Sequence, residues 1–201
     1  MSKAFTREND TPPEDDEEEG AAMLPAGVKN YMTPAGYARL TDLSYQFANA
    51  LPDPGPRPAA LQWRPVDDAD RGRLAAVIER TYVGSHDCAE LDGLRTAADA
   101  LDEYAAEGTV AERGWWLATV AGADAGCLLL RDHGALDLVE VVYLGLVPEV
   151  RGRGLSHELL AQAWRGARAW GRRRAMAVVD VANAPALRLY AATGFAEVDR
   201  R

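Results

Sequence analysis

A chain of 201 residues with 48% hydrophobic residues is long enough to build one domain around a single core, with some chain left over. Its net charge of −9 excludes the broad basic face of a typical nucleic-acid binder, and no window approaches the roughly 18 consecutive apolar residues of a helical membrane span. The charge is uneven: residues 1–20 hold eight acids against Lys3 and Arg7, whereas residues 146–201 hold ten arginines against five acids.

The stretch TPPEDDEEEGAAMLPAG offers almost nothing to bury, so residues 1–27 are expected to form a disordered acidic tail. Next, Thr33 and Pro34 have the form of a helix start, and Tyr37, Leu40, Leu43, Ser44 and Phe47 follow at helical spacing. A short helix over about 34–50 is expected, then a linker with four prolines between 52 and 58. This divides the chain into a tail (1–27), a helix with linker (28–57) and a main domain (58–201).

From Leu61 strands and helices alternate. LQWRPV is a first strand, and DDADRGRLAAVIERTYV is a helix with Leu74, Val77, Ile78 and Tyr82 on one face. An acidic loop leads to a second helix over about 94–107. WWLATV, AGCLLLR and DLVEVVYLGLV are three strands; a helix runs to about Trp170; MAVVDV, APALRLYAATG and FAEVD add strand, helix and strand. That order predicts an α+β fold with a mixed sheet. Trp115 and Trp116 alternate faces, one in the core and the other toward an acceptor. Cys88 and Cys127 have no metal-ligand spacing, so no metal is expected, and Cys127 should pack as a small hydrophobe in a reduced, cytoplasmic setting. No signal peptide is present, which predicts a soluble protein without a membrane partner.

The most informative segment is VPEVRGRGLSHELL, residues 147–160, where a strand hands over to a helix. A helix N-terminus has unpaired N–H groups and a partial positive charge, so it accepts phosphate. Gly152 and Gly154 let backbone amides approach an anion, and Arg151 and Arg153 add charge. A dinucleotide-binding turn is the rival, but His157 stands where its third glycine belongs and too little chain follows.

RGRGLS after a strand, followed by NAPALRLYAATGF, resembles the GNAT superfamily of acetyl-CoA-dependent N-acetyltransferases. Arg151, Gly154 and, imperfectly, Ser156 match its first signature; Asn183, Ala186, Tyr190, Gly194 and Phe195 match its second. The resemblance implies the acyl-CoA N-acyltransferase fold, acetyl-CoA as cosubstrate and a primary amine as acceptor in a direct ternary complex. It implies that backbone groups near Leu144 and Leu146 bind the pantetheine arm, that the amides of Arg151, Gly152, Arg153, Gly154, Leu155 and Ser156 hold the pyrophosphate, and that Asn183 lies beside the cofactor. It makes Tyr190 the general acid for the leaving thiolate. Glu140, eleven residues before Arg151, is the candidate base, expected to share a face with Val142 and Leu144. His133 and His157 are expected to face solvent, and Arg172 to Arg174 to reach the adenosine 3′-phosphate or face water. GNAT domains usually end with one more strand than this chain supplies after Phe195, which leaves an open edge, a missing acceptor wall or a partner's strand.

MSKAFTREND, the acidic run and PAGVKNYMTPAGYARL resemble the leader of Gre-type transcript-cleavage factors, cut off near residue 50. That resemblance implies RNA polymerase contact through the leader. A non-enzymatic acyl-CoA-binding module and a transcription-associated interaction protein are the alternative functions; a homodimer is compatible with either.

Overall fold

The computed structural model describes residues 43–55, 60–85, 96–106 and 113–200. Seven strands, β1 (Leu43–Ala48), β2 (Gln62–Pro65), β3 (Arg113–Val120), β4 (Ala123–His133), β5 (Leu138–Leu146), β6 (Arg174–Asp180) and β7 (Ala196–Arg200), form one sheet in the order β2-β3-β4-β5-β6-β1-β7. Only β5 and β6 run parallel; every other neighbouring pair is antiparallel. Four helices lie among the described residues: α1 (Arg71–Tyr82), α2 (Ala97–Ala106), α3 (Leu155–Ala169) and α4 (Ala184–Ala192). This is the mixed α+β sheet that the alternation from Leu61 predicts.

Local chemistry sets the helix ends. The Asp67 carboxylate accepts from the Ala69 and Asp70 N–H groups in the turn that opens α1, and Thr96 and Asp99 form a reciprocal capping box ahead of α2. The Asn183 side chain accepts from the Ala186 N–H at the start of α4, and Gly194 closes the turn after it at φ +89°. Leu74, Val77 and Ile78 of α1 and Leu101 of α2 cover Trp115, Leu117, Cys127 and Leu129 on one face of the sheet. On the other face Leu160, Ala163, Trp164 and Ala167 of α3, with Leu189 of α4, cover Leu128, Leu130, Val139 and Val141. Trp116 contributes to this second core rather than to an acceptor surface.

Residues 43–48 depart from expectation. They form a strand, not the end of a helix, and the strand lies between β6 and β7 with every residue buried. Leu43 pairs with Asp180 and Ala48 with Ala175, while Ser44 pairs with Arg200 and Phe47 with Ala196. LSYQFA carries two periods at once, and the period of two wins because Leu43, Tyr45 and Phe47 face one way and Ser44, Gln46 and Ala48 the other. The buried polar side chains are satisfied locally: Gln46 Nε2 donates to Ser44 Oγ, Ser44 Oγ donates to Glu197, and Arg200 pairs with Glu197. The partner of β7 is thus a strand from residues ahead of the proline linker, not an open edge. The predicted acidic tail and the helical turn over 34–42 lie outside the described residues.

Burying Leu43, Tyr45 and Phe47 contributes about 5–9 kcal/mol at roughly 1.5–3 kcal/mol per large apolar side chain. That is of the order of a whole domain's net stability, about 5–15 kcal/mol. A chain beginning at residue 58 is therefore expected to lose its cooperative urea transition, as followed by far-ultraviolet circular dichroism.

Candidate active site

The parallel pairing of β5 with β6 covers only Leu138–Val141 against Arg174–Ala177. In the next residues β5 carries a bulge: Leu130 faces Val141 and Leu129 faces Tyr143, which leaves Val142 without an opposite residue on β4. From there to Leu146 β5 is bonded to β4 alone, so its edge toward β6 is open among the described residues.

The direction of the open groups follows from the ladder. Val147 donates its N–H to Ala125 O, one step beyond the Leu146–Gly126 pair. Antiparallel alternation then gives Gly145 and Tyr143 the bonds to β4 and turns the peptide groups of Leu144 and Leu146 to the open edge. These are the two residues expected to meet the pantetheine arm. The Leu146 carbonyl is already taken, since it accepts from Arg151 Nε at 2.9 Å.

After β5, Pro148–Val150 makes one 3₁₀ turn, Gly152 and Gly154 adopt φ of +73° and +75°, and α3 begins at Leu155. A side chain is strained at that φ, and the space around both glycines is open. The Arg151 N–H donates to Pro148 O, and the His157 N–H to Gly154 O. Among the described residues no carbonyl accepts from the N–H groups of Gly152, Arg153, Gly154, Leu155 or Ser156. Five successive amides without a carbonyl partner, the last two of them the first of α3, thus follow the splayed strand, which suits an anion.

The two arginines of this segment differ. Arg153 is exposed, with Nη2 donating to Glu149 O at 2.9 Å. Arg151 does not face the loop: Nη2 donates to Thr81 O at 2.7 Å, Nη1 to Val83 O at 2.7 Å and Gly84 O at 3.3 Å, and Nε to Leu146 O. Its guanidinium caps the C-terminus of α1, and its N–H is spent within the 3₁₀ turn.

Glu140 is 7% exposed and lies on the α1–α2 face, between Val139 and Val141, which pack on the other face. Its carboxylate Oε2 is 2.8 Å from His133 Nε2 and 3.7 Å from Arg131 Nη1. The expectation of apolar surroundings fails, because the antiparallel register sets Arg131 opposite Glu140. The bulge also breaks the expected alternation: Val142 and Tyr143 both join the α1 cluster, and Leu144 packs against the opposite core. His133 is not the solvent-facing residue predicted; the hairpin between β4 and β5 folds it back onto Glu140. His157 is exposed. Tyr143 OH lies 2.6 Å from Thr81 Oγ1, an interaction that the sequence does not signal because the two residues are 62 apart.

Tyr190 is 5% exposed on α4, its ring edge-on to Phe195 at 4.9 Å between centroids and packed in the α3–α4 core. Asn183, at the cleft end of β6, caps α4 as described. Arg172, Arg173 and Arg174 lie at the opposite end of the sheet from the open β5 edge, and Arg173 faces water, the second of the two expectations. Arg172 pairs with Asp132, Arg173 with Asp137, and Arg174 Nη2 donates to Leu136 O. These three arginines border an open hollow of about 750 Å³ there, together with Leu51 and Leu136. Cys127 is fully buried, and burial pushes its thiol above the ordinary range. Cys88 and His86 lie outside the described residues.

The profile of the Acetyltransferase (GNAT) family matches residues 85–195, more than half of the chain. The chain belongs to the GNAT acetyltransferase family. No curated protein matches it. Its fold is similar to that of a GCN5-related N-acetyltransferase from Sphaerobacter thermophilus, at 21% identity and a TM-score of 0.61 over 79% of this chain and 49% of that one. The ribosomal-protein-S18-alanine N-acetyltransferase of Escherichia coli matches at 17% identity and a TM-score of 0.54, over 69% and 79%. A tandem GNAT protein from the clavulanic acid biosynthesis pathway matches at 20% identity and a TM-score of 0.57, over 90% and 60%. At these identities the likeness is one of fold. The chain spans 61%, 49% and 58% of the length of three of its structural relatives. No described helix of this GNAT protein is long and apolar enough to cross a membrane.

Removing one partner of a buried ion pair strands the other, at a cost of about 3–5 kcal/mol. With side-chain exposures of 4% for Arg131 and 9% for Glu140, Glu140→Ala is expected to lower urea stability by that amount. Adding Arg131→Ala in the same chain should cost much less than the two single losses summed, because the stranded charge is gone.

Proposed function

We propose that the protein transfers the acetyl group of acetyl-CoA to a primary amine in a direct ternary complex. The observation that carries this reading is the pairing of five unclaimed amides, Gly152 to Ser156, with the open edge of β5 at Leu144 and Leu146. The loop and the α3 N-terminus would take the pyrophosphate of CoA, with Arg153 as the neighbouring cation. The pantetheine arm would add to the β5 edge, where an N–H aimed at the thioester oxygen stabilises the negative charge of the tetrahedral intermediate. CoA would act here as cosubstrate, bringing the acetyl group as a thioester on its sulfur.

In this reading Asn183 borders the cofactor, and Tyr190 gives a proton to the departing thiolate, whose basicity is close to that of a phenol. Its ring is fixed by Phe195, which suits a positioned acid. Glu140 is the proposed base. It lies four residues before Leu144 on the same strand and would take the amine's proton directly or through water. His133 and Arg131 hold the carboxylate in place meanwhile.

Isothermal titration with acetyl-CoA and CoA, followed by thiol release against a panel of amines and peptides, tests the reading. Binding with release is expected; absence of binding to either nucleotide would sink it, and binding without release would favour a CoA-binding module. Tyr190→Phe is expected to lower kcat by about a hundredfold or more, the usual range for a general acid. CoA affinity should be unchanged, and full activity in that variant would remove Tyr190 from the mechanism.

A further inference from the structure

We propose that Arg151 is a positioning residue that couples occupancy of the anion loop to the C-terminal turn of α1. This inference rests on the assignment of residues 152–156 as the CoA-binding loop. All three nitrogens of the Arg151 guanidinium donate to carbonyls, and those carbonyls belong to two segments far apart in the chain. Thr81, Val83 and Gly84 lie at the end of α1, where the last carbonyls lack helical partners and present a partial negative charge. Leu146 lies at the end of the open β5 edge.

The same end of α1 is held to β5 by a second set of contacts. Thr81 Oγ1 meets Tyr143 OH at 2.6 Å, and a Cβ on Gly145 would come within 2.9 Å of Thr81 Oγ1. Tyr82 packs edge-on to Tyr143 with centroids 6.2 Å apart. Tyr143 lies in the α1 cluster, on the face that also carries Glu140. The α1 terminus, the open strand and the start of the loop are therefore joined through one side chain, and the next residue along the backbone, Gly152, begins the run of unclaimed amides.

The consequence is thermodynamic. An anion bound to residues 152–156 orders the loop, which fixes the backbone from which Arg151 reaches α1. The α1 turn then pays less of its own ordering cost, and by linkage an ordered α1 turn tightens the loop's hold on the anion by the same factor.

Hydrogen exchange on the full chain reads this directly. The Ser85 N–H donates to Tyr82 O at 2.9 Å and reports the integrity of the α1 turn. With CoA, both the Gly152–Ser156 amides and Ser85 are expected to exchange more slowly, Ser85 by about fivefold or more, the lower range of measured couplings. In Arg151→Gln the loop is expected to keep its protection by CoA while the effect at Ser85 is lost, and Arg151→Lys should restore part of it. A ligand-free arm stands apart from the functional reading. Gly154→Val, which strains the loop, should speed exchange at Ser85 in the native background and leave it unchanged in Arg151→Gln. Equal effects of Gly154→Val at Ser85 in both backgrounds would overturn the coupling even if CoA did not bind. A loss of CoA affinity in Arg151→Gln with a shallower salt dependence would overturn it as well, by making Arg151 an anion ligand. Failure of CoA to protect residues 152–156 in the native chain, with the ligand-free arm as expected, would instead defeat the cofactor assignment alone.

Discussion

The candidate site depends on one extra residue in one strand. Parallel pairing between β5 and β6 ends at Val141, and the bulge begins at Val142. A bulge bends its strand and increases its twist, so a strand that has been parallel to its neighbour turns away. Three consequences follow from that residue. The edge of β5 opens with the peptide groups of Leu144 and Leu146 turned into the gap. The side-chain alternation slips, which puts Tyr143 against Thr81 and leaves Leu144 on the opposite face from Glu140. The strand then ends where α3 can begin facing the gap, so the anion loop and the open edge become neighbours. A regular β5 would keep its bonds to β6 and have nothing to offer a ligand.

The order of elements from Leu61 was legible because each has a clean period and clear stops: Leu74, Val77 and Ile78 for α1, Leu155, Leu159 and Ala163 for α3, and Gly194 after α4. The anion loop was legible for a different reason, since Gly152 and Gly154 need a backbone that other residues resist. The strand at Leu43–Ala48 was not. Its six residues fit either a helical or an extended period, and the deciding partners, Asp180 and Arg200, are more than 130 residues away. The Val142 bulge left no signal either, because β-branched residues suit a bulged strand as well as a regular one.

Charge was the least legible property. Arg151, Arg172, Arg173 and Arg174 all invite a phosphate when seen as a basic surplus in the last quarter of the chain. In the fold each is committed to an acceptor, Arg172 and Arg173 to carboxylates and Arg151 and Arg174 to backbone carbonyls. An arginine near the end of a helix has two ways to lower its energy, and only the tertiary position of α1 decides between them. Glu140 shows the same limit with the sign reversed. Its neighbours in sequence are valines, but its neighbours in space are Arg131 and His133, set by the centre of the β4–β5 hairpin.

The placement of β1 gives the sheet its outer half. β7 bonds to β1 and not to β6, so without residues 43–48 the chain after Gly194 loses the strand it pairs with. The two exposed edges that remain are poor templates for further strands: β2 is four residues long with Pro65 in it, and β7 carries Glu197, Asp199 and Arg200. β1 also runs so that Leu43 meets Asp180, at the same end of the sheet as the gap and the anion loop. The N-terminal end of β1 therefore lies at the cleft end of the sheet. Residues 43–48 belong to the architecture of the acetyltransferase domain through this strand.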